Sequence, residues 1–447
     1  MKLIGVGKEE VKSAIKEGEV TIAVYGLGKM GLPLAAVFAD HGARVIGVDI
    51  NEKVVEMINR GENHVKEEPG LDELVRRNVE ARRLRATTDG VWGAKQADVM
   101  IILVPTLTDE RGNLKLGPVY DVAEKISKGL EKGDIVITEA TMPPGTTESL
   151  IPILKKSGLK LGEFGLAHAP ERTMTGTAIR DITGQYPKIV GANDEKTLEA
   201  VIGIYETINK KGVIPMSSIK AAEAVKVFEG VYRDVNIALA NELALWCEEH
   251  GLDALEVFQA ANTQPYCHLH MPGAGVGGHC IPVYPWFVIN LAKKTNPRLI
   301  KTAREINDSM PHHVVELIVK ALNEAGKPLR GSNILVLGLT FRGGVREFMK
   351  AAAKPIIQEL KGWGANVYAY DPLCTPEDAG RFGAEWKGDF KGIDAIVITA
   401  DHKEFKELDL EKLAREMRTR IIVDGRNVID PKEAQKRGFI YMRVGRV

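Results

Sequence analysis

Residues 275–283 read GVGGHCIPV, which sets Cys280 in a stretch where glycine strips away side-chain bulk. Three chemistries suit such a cysteine. As a thiolate beside a bound nicotinamide it would add to an aldehyde, and the thiohemiacetal would lose a hydride to become a thioester that water releases as an acid. As a metal ligand it would join Cys267, His268, His270 and His279, the donor types zinc takes. Neither Cys-x-x-Cys nor His-x-x-x-His spacing occurs, however, and adjacent residues seldom face one ion, so no metal is expected. As an inert buried thiol it would share the commonest fate of free cysteine. Against that, Gly275, Gly277 and Gly278 suggest no packing reason for the loop and would let backbone amides approach a ligand or an oxyanion.

A second chemistry lies near the start. GLGKMG sets Gly26, Gly28, Met30 and Gly31 between the strand-like VTIAVY and a helical run, and Asp49 ends the next strand-like run, ARVIGVDI. These glycines permit a tight turn and close approach to a pyrophosphate on a helix N-terminus. Asp49 would accept from the adenine ribose 2′-hydroxyl and repel a 2′-phosphate, which favours NAD over NADP. LVPT (Val104, Pro105, Thr106) and EATMPPGTT (with Thr141) follow later strands, where they either line the nicotinamide end or simply turn the chain.

Such residues need a scaffold, and a chain of 447 residues implies two or three cores. Sixty basic residues balance sixty acidic ones, so neither nucleic acid nor an anionic membrane surface is expected as a partner. The longest apolar runs, such as VMIILV, are far shorter than the roughly 20 residues that span a bilayer and suit buried parallel strands. The N-terminal MKLIGVGKEEVKSAIKEG has scattered charges and no continuous apolar stretch, so export is not expected. Its four cysteines have no disulfide-framework spacing, and a reducing cytoplasm is the expected location.

Strands alternating with helices predict an α/β fold with a doubly wound parallel sheet. NILVLGLTFRGG followed by ANVYAYDP repeats the opening pattern, so two Rossmann-like domains are expected. Between them, residues 217–250 predict one helix of about 50 Å, capped by serine and glycine and apolar on more than one face. It would join the domains and support a homodimer. The expected domains are 1–216 for NAD, 217–327 for dimerisation and the cysteine loop, and 328–447 for the substrate nucleotide.

The motifs VYGLGKMGLPLA, EATMPPGTT, APERTMTG, VYRDVNIALANELA, GAGVGGHCIPV, VLGLTFRGGVRE and VDGRNVID arrive in order along nearly the whole chain. Together they resemble the UDP-glucose/GDP-mannose dehydrogenase family of nucleotide-sugar 6-dehydrogenases, most of all its UDP-N-acetylmannosamine branch. The resemblance implies a four-electron oxidation of a sugar C6 alcohol to a carboxylate by two NAD, through a thioester on Cys280. It implies that Lys226 stabilises the oxyanion, that Glu171 activates water and that Thr141 helps to position it. From the residues alone, Lys226 is either a snorkelling surface lysine, the favoured reading, or a partly desolvated group with lowered pKa, and Glu171 a surface carboxylate paired with Arg172. Arg342 and Arg426 match positions that contact the nucleotide diphosphate and sugar, and arginine forks suit phosphate oxygens. Arg172, Arg233, Gly275, Gly277 and Gly278 complete the expected substrate set.

Three positions depart from the family pattern. Gly230 stands where the family has asparagine one turn after the lysine, Tyr284 where it has aspartate, and Tyr266 where the related branch has arginine. A mid-helix glycine costs roughly 0.5–1 kcal/mol relative to alanine, so something must approach Gly230 closely. The ring or hydroxyl of Tyr284 is expected to take the space of the missing amide and carboxylate. Competing readings are a UDP-N-acetylglucosamine or UDP-glucose dehydrogenase, a two-electron hydroxyacid dehydrogenase that dispenses with Cys280, and a binding protein with lost chemistry.

Overall fold

Strand β1 (Thr21–Tyr25) lies between apolar layers on both faces, which is why TIAVY shows no alternation of polar residues. Ile22 and Val24 enter one core, and Ala23 and Tyr25 enter the other. The structure is a computed structural model that describes residues 1–108 and 114–447. Through the first half run β2 (Arg44–Val48), β3 (Leu84–Thr87), β4 (Val99–Ile102), a ribbon of β5 (Leu107–Thr108) and β6 (Leu114–Lys115), β7 (Ile135–Thr138), β8 (Gly165–His168), β9 (Lys188–Ala192) and β10 (Val213–Pro215). Eight of them form one sheet in the order β10-β9-β8-β7-β4-β1-β2-β3. The order reverses between β1 and β4, the switch point at which Rossmann sheets open a crevice. The expected parallel sheet is found except at its far side, where β8 and β9 pair antiparallel.

The second half repeats the plan with β11 (Asn333–Leu337), β12 (Asn366–Tyr370), β13 (Glu385–Trp386), β14 (Ala395–Ile398), β15 (Ile421–Asp424) and β16 (Ile440–Arg443). All pairs are parallel and the order is β13-β12-β11-β14-β15-β16, the doubly wound order again. The repeat extends to the turns. Gly26 after β1 and Gly338 after β11 both have positive φ (96° and 104°), and a Cβ on either would strike backbone after the neighbouring strand, at Leu103 or Ala400.

The chain divides into two units, Met1–Glu229 and Gly230–Val447. The helix Ile219–Glu249, 31 residues long, carries the chain across that boundary. Its predicted caps are present: Ser218 Oγ accepts from the Ala221 amide, and the chain leaves through Gly251 at φ 67°.

Gly230 has the close neighbour that its position demanded. A Cβ there would lie 2.4 Å from Cδ2 of Tyr284 and 3.2 Å from its Cβ and Cγ. Tyr284, 6% exposed, opens the helix Tyr284–Leu291 and packs its ring against Phe287 at 5.6 Å. The ring therefore faces protein and not bulk solvent. Gly230→Ala should relieve about 1 kcal/mol of helix propensity but add overpacking of about 1–3 kcal/mol. Thermal unfolding should show net destabilisation by Gly230→Ala in the wild type but not in a Tyr284→Ala background, itself less stable for the lost ring, because the clash is pairwise.

Candidate functional site

In the first unit the glycine turn is held by Asp49. Its Oδ2 accepts from the Leu27 amide at 2.9 Å and its Oδ1 from Asn51 at 2.9 Å. A Cβ on Gly31 would collide with the Gly26 carbonyl, whereas one on Gly28 would meet nothing within 4 Å among the described residues. The second glycine thus leaves room against exposed backbone, the fit that a dinucleotide pyrophosphate requires. Ile50 beside Asp49 is 85% exposed. Val104, Pro105 and Thr106 follow β4 at the switch point, and Thr106 Oγ1 donates to the Thr141 carbonyl at 2.8 Å, joining the two predicted loops. Met30 accepts from Thr173 Oγ1 through its sulfur at 3.0 Å.

Lys226 does not snorkel. It is 9% exposed, and its Nζ donates to the Glu171 carbonyl at 2.5 Å with a Glu171 carboxylate oxygen at 3.7 Å. Glu171 is not paired with Arg172. That arginine pairs with Glu229 at 2.6 Å, donates to the Pro187 carbonyl at 2.8 Å and lies over the Tyr186 ring. The loop APER is also pinned from below, where the Glu171 amide donates to the Glu139 carbonyl at 3.1 Å. The Glu139 carboxylate is buried between Lys188 (2.8 Å) and the Tyr205 hydroxyl.

In the second unit Cys280 is the one exposed cysteine of the four. Burial raises the thiol pKa of Cys247 and Cys374. The carbonyl of Cys280 accepts from the Val283 and Tyr284 amides at 3.0 Å, so the thiol-bearing residue closes the turn that starts the next helix. The glycines of this loop do have a packing reason, contrary to the sequence expectation. A Cβ on Gly277 would meet Phe341 Cβ at 2.6 Å and the Lys350 carbonyl at 2.8 Å; one on Gly278, at φ 97°, would meet the Phe341 ring. Gly275 has φ 139° and lies against Pro311 and Ala352. The loop threads a narrow passage, and the Gly278 amide donates to the Met349 carbonyl at 2.8 Å.

Arg426 sits beside the same loop. Its Nε donates to the Thr399 carbonyl at 2.8 Å and its Nη2 to the Phe341 carbonyl at 3.3 Å, while Nη1 lies 3.3 Å from where a Gly273 Cβ would be. Burial lowers its pKa, and Asp401 and Asp424 oppose that shift without making an ion pair with it among the described residues. Arg342 stacks its guanidinium 5.7 Å from the Phe341 ring centroid. Arg233 is exposed on the long helix. Tyr266 is 90% exposed, and His279 is engaged by Glu347 at 2.5 Å. Among the described residues no three of histidine, cysteine, aspartate or glutamate gather as a metal ion would need.

Sequence reasoning missed the residues that hold these loops. Buried Glu223 accepts from the Gly145 and Thr147 amides of the PPGTT loop at 2.5 and 2.8 Å. Asp371, fully buried at the end of β12, takes the Leu339 and Thr340 amides and His402 Nε2. Asp424 takes the Arg426, Val428 and Ile429 amides. Only Asp371 carried a signal, its place in the repeated strand-end aspartate.

Three domain models of the UDP-glucose/GDP-mannose dehydrogenase family match the chain: the NAD binding domain over residues 20–209, the central domain over 220–309 and the UDP binding domain over 335–431. The chain is similar to a UDP-N-acetyl-D-mannosamine dehydrogenase of Pyrococcus horikoshii, at 37% identity over 95% of this chain and 99% of that one. It is also similar to an NDP-N-acetyl-D-galactosaminuronic acid dehydrogenase of Ralstonia nicotianae, at 35% identity over 92% and 97%. A solved structure of a UDP-D-ManNAc dehydrogenase from Pyrococcus horikoshii superposes with a TM-score of 0.87 at 35% identity, covering 95% of this chain and 99% of that one.

Beneath the PPGTT loop, His168 is 1% exposed and its Nδ1 lies 2.8 Å from Thr138 Oγ1, while Nε2 has no hydrogen-bond partner among the described residues. Burial, aided by Lys188, lowers its pKa from 6.5 to about 3. The unfolded chain therefore takes up a proton near pH 6.5 that the folded chain refuses until about pH 3, and the stability this residue contributes is lost as pH falls through that window. Melting temperature followed from pH 7 to pH 4 should fall less steeply in His168→Gln than in the wild type.

Proposed function

The chain belongs to the UDP-glucose/GDP-mannose dehydrogenase family, an NAD-dependent UDP-sugar dehydrogenase, and from that premise we propose that it oxidises UDP-N-acetyl-D-mannosamine to the 6-carboxylate. Cys280, the one exposed cysteine and set in a loop of enforced geometry, carries the mechanistic reading. The named activities of relatives matched over nearly their full length support the choice of sugar. When bound, NAD accepts one hydride in each of two oxidations. Gly26, Gly28, Met30 and Gly31 would hold its pyrophosphate region and Asp49 its adenine ribose, with Val104, Pro105, Thr106 and Thr141 toward the nicotinamide.

The C6 alcohol loses a proton and a hydride to give the aldehyde. The Cys280 thiolate adds to that carbonyl carbon, and the thiohemiacetal loses a second hydride and its hydroxyl proton to become a thioester. Water, deprotonated by Glu171 and oriented by Thr141, attacks the thioester carbonyl, the C–S bond breaks and the thiol is restored. Lys226, already a donor to a carbonyl oxygen at 2.5 Å, suits the developing oxyanion. Arg342 and Arg426 would hold the diphosphate in the domain 328–447, with Arg172, Arg233 and the loop glycines Gly275, Gly277 and Gly278 about the sugar. Tyr284, buried over Gly230, replaces the amide and carboxylate that the family pattern has there.

We assign the NAD-binding domain to residues 1–216 and the dimerisation domain to 217–327. Tyr232, Leu239 and Trp246 are 56%, 45% and 51% exposed at seven-residue spacing on the long helix, an apolar stripe that a second copy would cover. Light scattering should give a dimer mass that falls to a monomer in Leu239→Lys; a monomeric wild type would exclude this assignment. Among the described residues no helix is long and apolar enough to cross a membrane. The free cysteines support a reducing cytoplasm, where the product would serve polysaccharide synthesis.

A panel of UDP-sugars with NAD, including the N-acetylglucosamine, N-acetylgalactosamine and glucose nucleotides, should give highest turnover with UDP-N-acetylmannosamine and two NADH per sugar. Cys280→Ala should abolish acid formation while NAD still binds. Cys280→Ser, a far poorer nucleophile with a worse leaving group, should accumulate an ester whose acyl mass mass spectrometry detects. A Cys280→Ala enzyme that still yields two NADH per sugar at near-normal rate would remove the nucleophile from the mechanism.

A further inference from the structure

The cysteine loop is pinned at its entry by a chain of side-chain hydrogen bonds that starts in two helices. The Gly273 amide donates to Asn241 Oδ1 at 2.9 Å, and Asn241 Nδ2 donates to Asn307 Oδ1 at 2.9 Å. Asn307 Nδ2 donates to the Asp234 carbonyl at 2.9 Å and to its carboxylate at 2.8 Å. Arg304 donates to the same carboxylate at 2.5 Å and also pairs with Asp308. Asn241 and Asp234 are fully buried, Asn307 is 1% exposed and Arg304 is 2% exposed. Asn241 and Asp234 ride on the long helix, and Asn307 and Arg304 on the helix Arg298–Glu324.

The direction of this relay is set at both ends. A backbone N–H can only donate, so Asn241 must turn its oxygen to Gly273 and its NH₂ to Asn307. A carboxylate only accepts, so Asn307 must turn its NH₂ to Asp234 and its oxygen to Asn241. Neither amide has a second orientation that satisfies its partners. Burial of both asparagines makes an unmet amide donor or acceptor costly, so the two amides hold one geometry.

Other pins on the loop come from the second sheet and its loops, among them the Gly425 carbonyl on the Ala274 amide, Asn427 Nδ2 on the Pro272 carbonyl, the Met349 carbonyl on the Gly278 amide and Glu347 on His279. Among the described residues Asn241 makes the hydrogen bond that ties the loop entry to the long helix, where the Tyr232 ring also meets His270 edge-on at 6.2 Å. We infer that Asn241 and Asn307 are positioning residues that fix the cysteine loop, and with it the place of the Cys280 sulfur, through this directional relay. The inference rests on the nucleophile reading of Cys280 only for its kinetic consequence.

Asn241→Asp keeps size and still accepts from Gly273, but it presents a second acceptor to Asn307 and turns that amide's oxygen onto the Asp234 carboxylate. With the UDP-sugar that the wild type oxidises, kcat should fall about tenfold or more while the KM for NAD stays within about twofold, as expected for a reacting group displaced without loss of cofactor binding. Hydrogen exchange of the intact protein should speed up about tenfold in peptides covering residues 270–280 and stay unchanged in those covering the glycine turn. Wild-type exchange in 270–280 from a folded variant would overturn the inference, and so would an unchanged kcat. If Asn241→Asp does not fold, Asn307→Ser opens the relay one residue further from the loop, and the same exchange comparison decides. The two readings fail separately: a Cys280→Ala enzyme with normal stoichiometric turnover removes the nucleophile, whereas exchange at 270–280 judges the relay whether or not Cys280 reacts.

Discussion

A carboxylate on a strand end or helix, accepting hydrogen bonds from the amides of a loop, is the interaction on which the candidate functional segments of both units depend. Loops at the carboxyl ends of parallel strands leave the ladder with their N–H groups unmatched, and an unmatched buried amide costs about 1–3 kcal/mol. Asp49 accepts from the glycine turn, Glu223 from the PPGTT loop, Asp371 from the 339–340 turn and Asp424 from the DGRN turn. Each acceptor stands on a strand end or a helix, so each loop inherits the rigidity of the element beneath it. The price is charge burial: desolvation raises the pKa of Glu223 and Asp424, and amide donors counter it. At Asp371 those donors, together with His402, win outright and hold the carboxyl below its ordinary value.

This division explains what the sequence made legible. The glycine turns and strand-end aspartates have rigid spacing because the turn geometry tolerates no other, and both Rossmann-like units were readable from them. The long helix was readable from its caps and from the absence of proline. Glu223, Asn241 and Asn307 were not, because their partners are backbone amides or one another, and no local spacing records a hydrogen bond across 76 or 66 residues of chain. The pairing of Arg172 failed for the same reason: neighbourhood in sequence suggested Glu171, but the fold supplies Glu229 across 57 residues.

Glycine shows the limit from the other side. At Gly230 the cost of a mid-helix glycine pointed correctly to a close neighbour, since a helix offers alanine as the cheaper choice. At Gly277 and Gly278 the residues lay in a loop, where glycine has no such cost to explain, and the inference went to ligand approach. Phe341 and the Lys350 backbone occupy that space instead. A glycine is thus more informative where the local structure disfavours it.

The same accounting bears on how a neutral chain presents charge to an anion. A lysine or arginine paired with a carboxylate offers an incoming phosphate little net field, as at Arg346 with Asp378 and Arg418 with Asp394 in the C-terminal unit. Arg426 is held by two carbonyl oxygens, which fix its plane without cancelling its charge. Burial lowers the pKa of that guanidinium, but from a starting value so high that the cation persists at neutral pH. A positive group oriented by neutral acceptors keeps its charge uncancelled, which is what the diphosphate role proposed for it would require. Pairing it with a carboxylate would have kept the plane and lost the field.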